Sequence, residues 1–339
     1  MTDAVRQPTL SLTIASRLGG FALCGGIAAL SMIAGSASAT PPVLIALIIG
    51  MALAHLVDVS PAAAGTEFTA RAILRLGIAF LGVRLSIDQI AALGASAVLI
   101  SAGAVLLMLS AGTGLALLLG MPRSRSILSA GAVGICGASA ALAISTVLPA
   151  DPARERQTIA TVALATALST IAMLLYPMIA LRLGFDQIEA AIFFGASIHD
   201  VSQVAGAGAM ISPDAASAAV ATKLVRVACL APAVAAILFL STRFGTKDGQ
   251  STPPRSSFFF LIGFALMAAG SNLGAITGYF REGFSQAATF CLVAATAALG
   301  LKSSIGALMS EGWRPLIVMV VQTLLLAAYV IGAIHFLRI

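Results

Sequence analysis

The chain has 339 residues, 59% hydrophobic and only 9% charged, with a mean hydropathy of +1.04. A soluble domain carries about 25% charged residues, so this composition excludes a water-soluble globular protein and makes a lipid bilayer the solvent. The net charge of +6 is spread over short loops with no basic block, which argues against a nucleic-acid partner.

A membrane-spanning helix needs about 20 apolar residues. In chain order the sequence predicts eleven: 18–35, 42–57, 68–86, 90–119, 127–148, 158–181, 190–211, 215–240, 258–276, 283–301 and 315–337. The first ends in Ala37-Ser38-Ala39, which resembles a signal-peptidase site, but its apolar run is long for a signal peptide and predicts an uncleaved helix. Asp58, Glu67, Arg71 and Arg75 crowd the junction of the second and third spans. The longest polar interval, 241–257, is a loop too short to be a soluble domain. With the N-terminus cytoplasmic, Arg84, Arg154, Arg156, Arg281 and Arg338 fall at outer ends and twelve of the 19 basic residues at inner ends. That excess is the positive-inside pattern and predicts a periplasmic C-terminus in a bacterial inner membrane. The four cysteines, Cys24, Cys136, Cys229 and Cys291, lie in apolar runs without CxxC spacing, so neither a disulfide framework nor a metal site is expected.

The fifth span carries Gly131-Ala-Val-Gly-Ile-Cys-Gly-Ala-Ser-Ala-Ala141. Gly134 and Gly137 fall about 11–15 Å from its inner end. Glycines so closely spaced either unwind the helix there, exposing amides that attract anions, or serve close helix packing. The seventh span carries Gly195-Ala-Ser-Ile-His-Asp-Val-Ser-Gln-Val-Ala-Gly-Ala-Gly208. It places His199 and Asp200 about 14–15 Å deep, beside Ser202 and Gln203. In the eighth span Lys223 and Arg226 lie about 12 and 16 Å deep on one helical face. Two charges near the middle of a bilayer would not persist facing lipid. They point to a cationic site inside the bundle, with a structural ion pair to Asp200 as the bland alternative.

The chain also matches itself weakly. Ser60-Pro61 with Arg71 lies over Ser212-Pro213 with Lys223, and Ala138-Ser-Ala-Ala-Leu142 over Ala295-Thr-Ala-Ala-Leu299. An offset of five helices implies inverted halves. The predicted fold is an all-α polytopic membrane protein of about eleven helices. It comprises a tail and extra first helix over 1–36 and two five-helix repeats over 37–185 and 186–339. Breaks are expected at 134–137 and 294–296, with the two helices crossing, and Ser139 and Thr296 become equivalent positions.

The stretches GICGASAA at 134–141, SIHDVSQVAGAG at 197–208, ATKLVRV at 221–227 and AALGLKSSI at 297–305 resemble the YeiH-type bacterial inner-membrane proteins, also labelled sulfate exporters. The resemblance covers nearly the whole chain. It implies the cation–proton antiporter and anion transporter clan, with inverted repeats, broken crossing helices and, in several members, an elevator motion.

The expected function is a secondary transporter exporting a small anion such as sulfate, sulfite or an organosulfonate. Lys223, Arg226, Ser139, Gly134, Gly137, Ser202, Gln203 and Thr296 are the expected substrate contacts; a guanidinium fork suits oxyanions and lysine adds a point charge. His199 and Asp200 are the expected proton-coupling pair. No catalytic residue, metal or cofactor is expected. The expected partners are the anion, the lipid bilayer, a coupling proton or sodium, and a second copy of the chain in a homo-oligomer. The same residues leave a cation–proton antiporter built on Asp200 as the alternative, ahead of an intramembrane enzyme around Cys136 or His199 and of a passive channel. Neither HExxH nor GxSxG occurs.

Overall fold

The computed structural model describes residues 10–37, 40–54, 63–85, 87–149, 151, 153–244, 259–301 and 312–337. Every regular element among them is a helix. We number them α1 (Leu10–Ala37), α2 (Pro42–Ala52), α3 (63–80), α4 (Ile87–Ala92), α5 (Gly94–Leu118), α6 (Arg123–Gly134), α7 (Ala138–Ser145) and α8 (Arg154–Leu183). Then come α9 (Gln187–Ser197), α10 (Val201–Ala209), α11 (Pro213–Ala228), α12 (Leu230–Phe244), α13 (Phe259–Asn272), α14 (Gly278–Leu301) and α15 (Arg314–Leu337). Among the described residues each of the eleven predicted spans contains helix, the fourth, fifth, seventh and eighth each covering parts of two consecutive helices. Among the described residues, six stretches are long and apolar enough to cross a membrane. The protein is an all-α polytopic membrane protein. Leucines such as Leu106, Leu118 and Leu181 point outward, as suits a surface solvated by lipid.

Local chemistry sets the helix ends. Asp186 accepts from the amides of Ile188 (2.8 Å) and Glu189 (2.9 Å), while Glu189 accepts from the Asp186 amide, so a capping box starts α9. The Ser212 hydroxyl accepts from the Ala215 amide at 3.0 Å, and Pro213 fills the first position of α11. Gly184 ends α8 in the left-handed conformation.

The chain forms two compact units, Met1–Gly77 with Thr289–Leu308, and Ile78–Ala288 with Met309–Ile339. These follow packing and cut across the two five-helix segments, whose relation by pseudo-symmetry is a separate matter. In the first unit α2 and the end of α14 meet backbone to backbone. A Cβ on Gly50 would lie 2.6 Å from the Ala297 carbonyl oxygen, and one on Gly300 2.7 Å from that of Leu47. Such a seam admits only glycine.

In the second unit α11 packs against both α9 and α10. A Cβ on Gly195 would lie 2.5 Å from Thr222 Cβ, and one on Gly208 2.5 Å from the Ala216 backbone. This double contact brings the lower part of α11 to the gap between α9 and α10. The fifth span is interrupted as expected, between α6 and α7. The expected interruption at 294–296 is corrected: α14 runs unbroken from Gly278 to Leu301. That stretch contains alanine, the strongest helix former, and Thr296 returns its hydroxyl to its own helix at the Leu292 carbonyl, 2.9 Å away. The second interruption lies in the seventh span, at 198–200 between α9 and α10.

Candidate functional site

The two interruptions touch. At the first, Gly137 adopts φ +64° and ψ −121°, a conformation open to glycine and strained for other residues. Its amide closes the end of α6 by donating to the Ala132 carbonyl at 2.8 Å. A Cβ there would meet His199 Cβ at 3.4 Å, so bare backbone lies against the second interruption. At that one Ile198 is extended, with ψ 145°, and the chain re-enters helix at Val201.

A broken helix leaves carbonyls without partners at the carboxyl end of its first half. Here α6 and α9 both present such ends, and Arg226 of α11 answers them. Its Nε donates to the Gly134 carbonyl (2.8 Å), its Nη1 to Ala196 (2.9 Å), Ile198 (3.1 Å) and, at long range, Gly195 (3.5 Å), and its Nη2 to Val133. The side chain is fully buried. A cation at two helix carboxyl ends is also favoured by both helix dipoles. Lys223, one turn earlier on the same face and equally buried, donates to the Ile198 carbonyl at 2.6 Å. That is its one hydrogen bond among the described residues, although an ammonium has three donors.

Around this pair lie the remaining polar groups. His199 is fully buried, with Nε2 3.0 Å from the Thr323 hydroxyl of α15. That hydroxyl donates to the Met319 carbonyl at 2.7 Å, so the network assigns the Nε2–H tautomer, donating to Thr323. His199 Nδ1 makes no hydrogen bond among the described residues. The Asp200 amide donates to the Ser169 hydroxyl at 3.0 Å, and Gln203 Nε2 donates to the Thr170 hydroxyl at 2.9 Å, so α8 holds the start of α10. Gln203 Oε1 is buried without a hydrogen-bond partner among the described residues. The half-buried Asp200 acts electrostatically on Lys223 and on Arg84.

The structure thus brings together Lys223, Arg226, His199, Asp200, Gly134 and Gly137, with Gln203 and Ser139 in the first turns of α10 and α7. At two of these positions the backbone bonds are as follows. Gly134 contributes its carbonyl and not its amide, because it ends α6; the Gly137 amide is already engaged at Ala132. The side chain of Ser202 lies outside the described residues. Thr296 belongs to the other compact unit. Sequence reasoning passed over Ser169, Thr170, Gln322 and Thr323, whose hydrophilic side chains in apolar helices are the signal available for them. Gln322, beside Thr323, donates to the Gly112 carbonyl (3.0 Å) and the Ser129 hydroxyl (3.2 Å). It also passed over Arg84, which counted only as an outer-end charge.

Two interrupted helices thus meet at buried cations within a polytopic all-helical membrane protein. A family model described as "Conserved hypothetical protein 698" matches residues 19–319. A UPF0324 membrane protein of Chlorobaculum tepidum is 40% identical over 297 residues, covering 87% of this chain and 82% of the relative. The UPF0324 membrane protein TauZ of Paracoccus denitrificans is 39% identical over 322 residues, 94% of this chain and 95% of the relative. The chain belongs to the UPF0324 family of membrane proteins. No solved structure matches it.

Proposed function

We propose that the protein is a secondary active transporter that carries a small anion, sulfate, sulfite or an organosulfonate, outward across the bacterial inner membrane. The observation that carries this reading is Lys223, a fully buried ammonium at the meeting point of two broken helices with a single carbonyl partner. A buried cation with one hydrogen bond for three donors is costly at membrane depth, and a bound anion relieves that cost. The amino ends of α7 and α10 begin at the same place, and their dipoles favour the same sign of ligand.

Within this reading Lys223 supplies the charge, and Ser139, Gln203 and the first amides of the two half-helices supply further contacts. Arg226 shapes the site by holding its walls. His199 and Asp200 are the proposed proton-coupling pair. A cation antiporter built on Asp200 is the weaker reading, because this carboxylate faces two cations, Lys223 and Arg84.

The test is flux into proteoliposomes, using labelled sulfate, sulfite, taurine and sodium at two pH values. Saturable anion flux lost in Lys223→Gln supports the proposal. Sodium flux with no anion flux would transfer the role to Asp200.

A further inference from the structure

We infer that Ser169 of α8 is a ligand-binding residue: its hydroxyl donates to the anion that Lys223 attracts, and the two together select a group that only accepts hydrogen bonds, a fully ionised oxyanion or a sulfonate. This rests on the anion-transport reading above and adds a contact and a ligand class to that site.

The hydrogen bonds of α8 set Ser169 apart from its neighbours. Serine and threonine inside a helix often return their hydroxyl to the carbonyl one turn back. Thr158, Thr161 and Thr166 each do so at 2.8 Å, and Thr170 at 3.0 Å. Their hydrogens are spent inside the helix. Ser169 is fully buried and makes no such bond. Among the described residues its one hydrogen bond is as acceptor, from the Asp200 amide at 3.0 Å. A hydroxyl has one donor as well as two acceptor sites. The amide takes an acceptor site, and the hydrogen is left for a group that the chain does not supply.

The amide that holds Ser169 belongs to the second interruption. The Asp200 carbonyl accepts from the Val204 amide at 3.0 Å, so α10 winds up from Asp200 onward. Two residues earlier the Ile198 carbonyl accepts from Lys223 Nζ at 2.6 Å. Ser169 and Lys223 are therefore fastened to the two ends of one tripeptide, 198–200. The bond from Gln203 Nε2 to the Thr170 hydroxyl (2.9 Å) pins α8 against α10 one residue further on, which keeps Ser169 in register with the interruption.

The unused capacity of the pair is all of one kind. Lys223 has two ammonium hydrogens beyond its bond to Ile198, and Ser169 has its hydroxyl hydrogen. Donors of this kind bond most strongly to ionised oxygen. Sulfate, doubly ionised sulfite and a sulfonate carry oxygens that only accept. A singly protonated anion brings a donor of its own to a place already supplied with donors.

The inference is tested by isothermal titration of the purified full-length protein in detergent with sodium sulfate and sodium sulfite. The variants are Ser169→Ala, Ser169→Cys, Thr166→Val and Lys223→Gln. Ser169→Ala should weaken sulfate binding by about tenfold, the lower end of what a hydrogen bond to a charged group contributes. Thr166→Val removes a buried hydroxyl already spent inside α8 and should keep the parental affinity; a loss equal to that of Ser169→Ala overturns the inference. Unfolding temperature is measured for each variant. A purely structural Ser169 predicts a lower unfolding temperature with unchanged affinity, and that result also overturns it. If Ser169→Ala does not fold, Ser169→Cys decides, since it keeps the shape with only a weak donor: weaker binding supports the contact and parental affinity overturns it. Sulfite is titrated on both sides of its second ionisation, with sulfate as the reference. The ratio of sulfite to sulfate affinity should rise on the alkaline side, and an unchanged or falling ratio overturns the ligand class. If binding is too weak to titrate, the KM for anion flux is compared in the same variants. Sulfate binding lost in Lys223→Gln but kept in Ser169→Ala overturns the Ser169 contact and leaves the transport reading standing. Neither binding nor flux of any anion in the parent overturns both.

Discussion

Arg226 and Lys223 are neighbours on one helical face, but they answer different demands. Removing the guanidinium strands the carbonyls of Val133, Gly134 and Ala196 at once, while Ile198 keeps its bond from Lys223, and each stranded buried group costs about 1–3 kcal/mol. Lys223 satisfies one carbonyl, which an amide side chain can also reach. Arg226→Gln should therefore unfold at a clearly lower temperature in detergent than Lys223→Gln, which should stay near the parent. Equal unfolding temperatures for both variants and the parent would show that the carbonyls have other support. His199 makes a second case at this scale. Its Nε2 bond to the Thr323 hydroxyl ties the ring to α15. Thr323→Val should shift the pH dependence of flux in the same sense as His199→Gln while leaving the Lys223 site intact. A profile unchanged in Thr323→Val would detach the histidine's role from this bond.

At the scale of elements, the glycines divide by what stands opposite them. Gly195 and Gly208 face the α11 backbone or a β-branched side chain, which cannot move aside. Gly206 faces the sulfur of Met173, at the flexible end of its side chain. Gly195→Ala and Gly208→Ala should each lower the unfolding temperature and Gly206→Ala should hardly change it; the reverse order would contradict the packing described. Gly137→Ala should also destabilise, since a left-handed conformation costs an L-residue roughly 1–2 kcal/mol. The same distinction explains what the sequence could convey. The fifth-span break was legible because Gly134 and Gly137 bracket it. Lys223, Arg226, His199 and Asp200 were legible because charge in an apolar run is rare. The tenth-span break was inferred from an Ala-Thr match to Ala-Ser, but residues that favour helix do not break one, whatever they align with. Which end of a half-helix faces the site was not legible either. Composition marks a gap, and the direction of its hydrogen bonds appears only when the gap has a neighbour, here Arg226.

For the whole molecule, the eleven spans expected from the sequence and the distribution of its basic residues predict a topology that can be checked. A reporter fused after Ile339 should read periplasmic, and one placed in the 243–255 loop cytoplasmic. The opposite pair of results would invert the inner and outer assignment of every loop.

The carbonyl cage of Arg226 also has a mechanical meaning. One side chain of α11 fastens the carboxyl ends of α6 and α9, so the three helices share a single rivet. Sliding α6 past α9 would shear several charge-assisted hydrogen bonds together, at roughly 1.5–3 kcal/mol each. Displacement is then confined to routes that go around the rivet. The half-helices α6 and α9 are thereby fastened to α11, so a change at this one side chain loosens three helices together.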